Sequence, residues 1–482
     1  MVDALSWLNT TSSFSLASPL EVGCLSLLAE TSEAEIEPLV LAGVLLSLIT
    51  VYLAAKIGGE LCARLNLPPV LGELVGGVVV GVSALHLIVF PEGASEGGSV
   101  LINLVEITTG LEPEALLTVF RGESEVVSIL AELGVIILLF EIGLESDLKE
   151  LIRVGPQAAV VAVVGVVVPF ALGTAGLIAL FGIPTVPAVF AGAALTATSI
   201  GITAKVLAEL QKLSSKEGQI IIGAAVLDDV LGIIVLAVVA SLAKTGEIEI
   251  LNVIYLIAGA ALFLVGAIFV GRLLSPLFVG LVDQMQTRGQ VIISSLVFAF
   301  VLSYVAATIQ LEAILGAFAA GLILAETSKR KELEEQIVPI ADMLVPVFFV
   351  TVGARTDISV LNPLEPSNRE GLIIASFLVL VAIVGKVVTG FAMFGQSGIN
   401  RLAIGVGMIP RGEVGLVFAG VGSASGVLSE SLEAAIIVMV ILTTFLAPPL
   451  LRVVFKDSDA APPDDAVDFM PTPPAEEQPT VS

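Results

Sequence analysis

Two adjacent carboxylates, Asp228 and Asp229, stand in the middle of the apolar run Gln219 to Leu242. At about 1.5 Å per residue, a helix over this run carries them roughly 14 Å from its start, close to the centre of a ~30 Å hydrocarbon layer. An ionised side chain at that depth costs at least ~2.5–3.5 kcal/mol, so an acid there normally faces a wet cavity and handles ions or protons. The competing reading is a pair of protonated acids that stitch two helices together. Adjacent helix residues diverge by about 100°, so one carboxylate can face a cavity while the other turns to a neighbouring helix.

Lys386, in LVAIVGKVVTGFAMFG, is the natural partner for one of them. It lies too deep in its apolar run to snorkel to water, and a buried lysine either pairs with a carboxylate or gives up its proton. The bridge is either static or a switch that opens when a carboxylate takes a cation. Small hard cations want oxygen ligands. Asp229, Asp228, Thr198 and Ser199, with the freed carbonyls of an unwound helix, would supply them for a Na+ ion at Asp229, and half-helix C-terminal ends would add negative potential. A carboxylate must lose its proton to bind a cation, so protons and cations compete for one site, which is the minimum apparatus of an antiporter. Release of a second proton from Lys386 would make the exchange electrogenic.

The elements that position these residues are membrane helices. Of 482 residues, 56% are hydrophobic and 14% charged, with a mean hydropathy of +1.04. That composition belongs to an all-α polytopic membrane protein. The net charge of −25 gathers outside the apolar runs and does not suggest nucleic acid. Two cysteines without metal spacing and a single histidine, His86, leave zinc, haem or thiol chemistry little to work with. No resident cofactor is expected beyond the transported Na+ or Li+ and H+.

Thirteen spans are expected, near 38–62, 69–90, 126–144, 156–181, 186–209, 219–242, 250–274, 289–309, 312–327, 335–353, 371–394, 401–425 and 432–452. The eighth and ninth run together around a turn at Ile309 to Glu312. Residues 100–120 read as an amphipathic segment at the membrane face. Residues 1–36 read as a retained extracytoplasmic leader, 37–455 as the membrane domain, and 456–482 as a disordered acidic cytoplasmic tail. Lysines and arginines concentrate in alternate connections, leaving only Arg121, Lys244, Arg355 and Arg369 on the other side, which predicts the N-terminus outside and the C-terminus in the cytoplasm.

Spans four to six (about 156–242) and eleven to thirteen (about 371–452) are offset by seven, so the second group is inverted relative to the first. Each has a middle span with unusual chemistry at mid-depth. In the first it is Thr196-Ala197-Thr198-Ser199-Ile200-Gly201, and in the second Gly407-Met408-Ile409-Pro410-Arg411-Gly412-Glu413. Pro410 removes an N–H and the glycines tolerate unwinding. A matched pair of interruptions in inverted halves points to crossed half-helices around a midplane ion site. Arg411 and Glu413 would neutralise the crossed ends or each other. Glu73, Glu141 and Asp342 are further acids in or near spans that line a funnel or serve packing, and the glycines of LGAFAAGL, Gly316 and Gly321, read as close helix packing.

The strings LPPVLGELVGGVVVG, ELGVIILLFEIGLESDL, ALTATSIGIT, VLDDVLGI, LGAFAAGL, PVFFVTVG and GMIPRGEVGL occur in this order. From about Leu39 to Phe455 the chain resembles bacterial sodium/proton antiporters of the second monovalent cation:proton antiporter family, and most of all those of cyanobacterial thylakoid membranes. The resemblance implies a thirteen-helix inverted-repeat fold, a homodimer, and an elevator-like movement of a core against a dimerisation scaffold. It also implies that Asp229 carries cation and proton, that Asp228 pairs with Lys386, that Thr198 and Ser199 sit at the first crossing, and that Glu413 lies near the second. A related group, the glutathione-gated potassium/proton systems, adds a Rossmann-type nucleotide-binding domain; no GxGxxG βαβ unit occurs here, so no such domain is expected.

The expected function is therefore secondary active, electrogenic Na+(Li+)/H+ antiport by alternating access, serving pH homeostasis, with K+/H+ antiport as the alternative. The expected membrane is the thylakoid, or else the plasma membrane. A cation channel would call for a selectivity-filter string that the chain lacks. An intramembrane aspartyl protease would carry its two acids on separate helices, so the chain is not expected to be an enzyme.

Overall fold

A computed structural model describes residues 19–91, 99–109, 113–245, 250–364, 368–393 and 398–459. Among them all regular structure is helical. The helices are α1 (Pro19–Arg64), α2 (Pro69–Val80), α3 (Val100–Thr109), α4 (Pro113–Glu145), α5 (Leu148–Phe181), α6 (Thr185–Ala194), α7 (Ile200–Glu209) and α8 (Lys216–Thr245). They continue with α9 (Ile250–Gln284), α10 (Gln290–Thr308), α11 (Ala313–Ala325), α12 (Arg330–Ala354), α13 (Asn368–Phe391), α14 (Arg401–Gly407), α15 (Glu413–Ala424) and α16 (Glu430–Asp459). Eight of them contain a stretch long and apolar enough to cross a membrane, namely α1 from Glu37, α4, α5, α8, α10, α12, α13 and α16. The other five expected spans fall on α2, α9, α11 and the two interrupted pairs α6–α7 and α14–α15. Thirteen crossings therefore stay an expectation.

Several boundaries differ from the sequence reading. The expected surface segment 100–120 divides into α3 and the first turns of α4, because Pro113, which needs no N–H partner at a helix start, opens a single helix that runs on to Glu145. The second span ends at Val80, ten residues early. Beyond it the chain folds back, with Leu87 and Ile88 donating to Val80 O, and Gly81 lies so close to α12 that a Cβ there would meet Ala354 Cα at 2.3 Å. Asp147 starts α5 ahead of the expected position by accepting from the backbone N–H groups of Lys149 and Glu150, and Gly182, at φ 65°, ends it. The turn between the eighth and ninth spans is real: Gln310 takes φ 65° and separates α10 from α11. Of the expected leader, residues 19–36 continue α1; residues 1–18 and nearly all of the expected tail lie outside the described residues.

Two groups of neighbouring helices emerge. In one, α4 packs on α11 and α12, α12 on α2, and α2 on α1. In the other, α5 packs on α8, α13 on α16, and α5 on α13, with both interrupted pairs held among them. Small residues let backbones touch in the first group: a Cβ on Gly321 would lie 2.2 Å from Phe140 O, and one on Gly143 would lie 2.4 Å from Phe318 O.

Candidate functional site

The site forms where both interruptions meet the middle of α8. The first break leaves residues 195–199 non-helical between α6 and α7, and the second leaves 408–412 non-helical between α14 and α15. Each break satisfies the other's exposed backbone. Ser199 N–H donates to Pro410 O (2.8 Å), Thr198 Oγ1 to Met408 O (3.2 Å) and Thr203 Oγ1 to Gly407 O (2.9 Å). Gly412 is required by closeness, since a Cβ there would stand 2.7 Å from Ser199 Oγ and 2.9 Å from Ser199 Cβ.

Arg411 closes the crossing. Fully buried, it sends one guanidinium nitrogen to Leu195 O (2.7 Å) and another to Met408 O (3.2 Å) and Ile409 O (3.3 Å). Leu195 and Met408 are the C-caps of α6 and α14. One cation thus covers both C-terminal half-helix ends, whose partial negative charge would otherwise be unbalanced in an apolar interior. Thr444 Oγ1 donates to the carbonyl of Arg411 itself. Carbonyls 407 to 411 of the second break thus each accept a protein donor, Arg411 among them.

The two aspartates diverge as helix geometry requires. Asp228, fully buried, faces α13, where Lys386 Nζ lies 3.3 Å from its Oδ1 and 3.2 Å from its Oδ2. Gly165 of α5 makes room for that ammonium, since a Cβ there would lie 3.2 Å from Nζ. Asp229 instead lines a narrow cleft of about 10 Å³ with Ala197, Thr198, Ser199, Ile200 and Gly412. Ser199 and Gly412 are the N-caps of α7 and α15, so the carboxylate meets the N-terminal starts of the half-helices while Arg411 holds the opposite ends. Asp228, Asp229, Lys386 and Arg411 interact electrostatically across this region, two anions with two cations.

Of the residues singled out from sequence, the structure brings Asp229, Thr198 and Ser199 to one cleft. Asp228, expected among the cation ligands, is turned out of that cleft because both its oxygens serve Lys386. Thr196 returns its hydroxyl to Ala193 O (2.8 Å) in its own turn. Glu413 begins α15, and its side chain lies outside the described residues.

The transmembrane sodium/hydrogen exchanger family matches residues 34–456, nearly the whole of the helical region. The chain belongs to this family. It is 71% identical over 429 residues to the high-affinity Na+/H+ antiporter NhaS3 of Synechocystis, covering 89% of this chain and 93% of that one. It is 32% identical over 416 residues to the Na+/H+-K+ antiporter GerN of Bacillus cereus, covering 85% and 96%. The solved sodium proton antiporter MjNhaP1 of Methanocaldococcus jannaschii shares the fold, with a TM-score of 0.60, 15% identity, and coverage of 86% and 98%.

This exchanger-family chain also carries charged groups outside those read from sequence as the cation site, Glu73 and Glu141 having been read there as lining a funnel or serving packing. Glu312, which precedes α11, lines the Asp229 cleft. At the far ends of α4 and α7, Lys205 is the shared cationic neighbour of Glu73, Glu141, Glu145 and Glu209. Beside it a cavity of about 210 Å³ is bordered by Glu141, Glu145, Arg330 and Glu334. Neither grouping has a sequence signature, since its members come from helices far apart in the chain.

Proposed function

We propose that the chain exchanges Na+ or Li+ for H+ across its membrane, with Asp229 as the shared carrier of cation and proton. The observation that carries this reading is the cleft at the crossed breaks, where one buried carboxylate faces two hydroxyls, Thr198 and Ser199, while its neighbour Asp228 is committed to Lys386. Membership of the sodium/hydrogen exchanger family supports it. With both acids ionised, Asp228, Asp229, Lys386 and Arg411 sum to zero charge. With a proton on Asp229 the sum is +1; Na+ displaces that proton and leaves the sum at +1, and loss of the Lys386 proton brings it to zero in a poorly solvated interior. Two protons, one from Asp229 and one from Lys386, then exchange for one cation and transport is electrogenic. Alternating access follows from movement of the group holding both breaks (about 156–242 and 371–452) against the remaining helices, which form the scaffold of a homodimer. The N-terminus faces outside or the lumen and the C-terminus the cytoplasm, in a thylakoid membrane by family resemblance, with the plasma membrane as the alternative.

The test is cation-induced collapse of a pH gradient in proteoliposomes with Na+, Li+ and K+ in turn, with and without a clamped membrane potential, for wild type and Asp229→Asn. Voltage-sensitive collapse by Na+ and Li+ that disappears in Asp229→Asn is expected. Equal rates with K+ and no voltage effect would favour K+/H+ or electroneutral exchange, a reading to which the similarity to GerN lends weight. Normal transport by Asp229→Asn would overturn the site.

A further inference from the structure

Glu312 holds an unusual position. It is the N-cap residue of α11, where an acid ordinarily caps the first backbone N–H groups, yet its side chain makes no capping hydrogen bond. The residue is exposed, and it also lines the cleft that contains Asp229, whose own exposure is only 5%. One carboxylate at the surface and one in the interior therefore border the same narrow space. They belong to different helix groups: Asp229 is on α8 with the crossed breaks, and Glu312 is on α11, which packs on α4 and α10. Glu132 of α4, also exposed, is the electrostatic neighbour of Glu312 and adds negative potential at the mouth.

We propose that Glu312 is a loading residue for the cation, acting only from the face where α10 ends and α11 begins. A cation approaching Asp229 from that face passes the Glu312 carboxylate first, and an ionised carboxylate at the mouth of a low-dielectric cleft raises the local cation concentration. Because Glu312 stays with α11 when the crossed breaks move, it helps a cation bind from one face and has no part in binding from the other. The proposal rests on the reading of Asp229 as cation carrier.

The experiment uses the full chain in right-side-out and everted vesicles, with Na+ supplied to one face at a time. Charge removal in Glu312→Gln should raise the Na+ KM from the α11-start face about two- to tenfold, the range expected for one charge acting across a partly hydrated cleft. KM from the opposite face and the maximal rate should not change. Glu312→Lys should exaggerate the effect, Glu312→Asp should restore most of it, and ~0.5 M choline chloride should shrink the difference by screening. A KM raised equally on both faces, a loss confined to maximal rate or thermal stability, or no change would overturn the proposal. Asp229→Asn in the same vesicles separates the two readings. If it still transports, the carrier assignment has failed; if it is inactive while Glu312→Gln shows no one-sided KM, only the loading role has failed.

Discussion

Lys386 Nζ stands between the two oxygens of Asp228, at 3.3 and 3.2 Å, with both side chains fully buried. Two opposite charges withdrawn from water are held by each other, so removing one leaves the other uncompensated. Lys386→Met is expected to cost about 3–5 kcal/mol of stability, read as a lowered thermal unfolding temperature in detergent. Asp228→Asn combined with Lys386→Met removes both charges and should recover most of that loss. If the pair couples transport as well, the double variant should exchange Na+ for H+ with little dependence on membrane potential.

Competition between proton and cation at Asp229 sets the sign of the pH dependence. The proton-bound carboxylate cannot accept Na+, so acidification weakens apparent Na+ binding and alkaline conditions strengthen it. On the acid limb the Na+ KM should rise about tenfold per pH unit if one proton is displaced, and about a hundredfold if Lys386 contributes a second. Maximal rate should vary much less. Initial rates over a grid of pH and Na+ concentration give the slope directly.

Arg411 joins carbonyls from both interruptions through a planar fork. Arg411→Ala should strand the carbonyls of Leu195, Met408 and Ile409 and cost about 3 kcal/mol or more. Arg411→Lys keeps the charge but cannot reach the same set of acceptors, so it should recover only part of the loss. Thermal unfolding of the purified variants measures both. An Arg411→Lys variant as stable as wild type would show that charge alone matters at the crossing.

Charges in apolar runs made much of this centre legible from sequence. Asp228, Asp229, Lys386 and Arg411 are costly to bury and so announce themselves wherever they occur. The divergence of the two aspartates followed from helical geometry, and Pro410 marked the second break. The use of the broken ends was legible only in part: Arg411 could be read as neutralising them, but that its reach extends from its own break to Leu195 O, 216 residues away in the chain, could not. Glu312 was hidden by an ordinary location, since an acid at a helix start usually caps it. Helix extents were misjudged for local reasons: residues 81–88 are apolar enough to continue α2, but close approach to Ala354 at Gly81 ends it instead.

At the crossing, the Thr198 and Thr203 hydroxyls and the Ser199 N–H reach across to main-chain oxygens of Met408, Gly407 and Pro410. No amino-acid exchange deletes a peptide carbonyl. A saturation-mutagenesis map would therefore score these three acceptor positions for bulk and backbone freedom alone and remain blind to their part in joining the repeats. On the acceptor side the join is encoded in polymer chemistry common to all twenty residues, and amide-to-ester replacement at those peptide links addresses it directly; on the donor side it is carried by two hydroxyls, Thr198 and Thr203, that a side-chain exchange can remove.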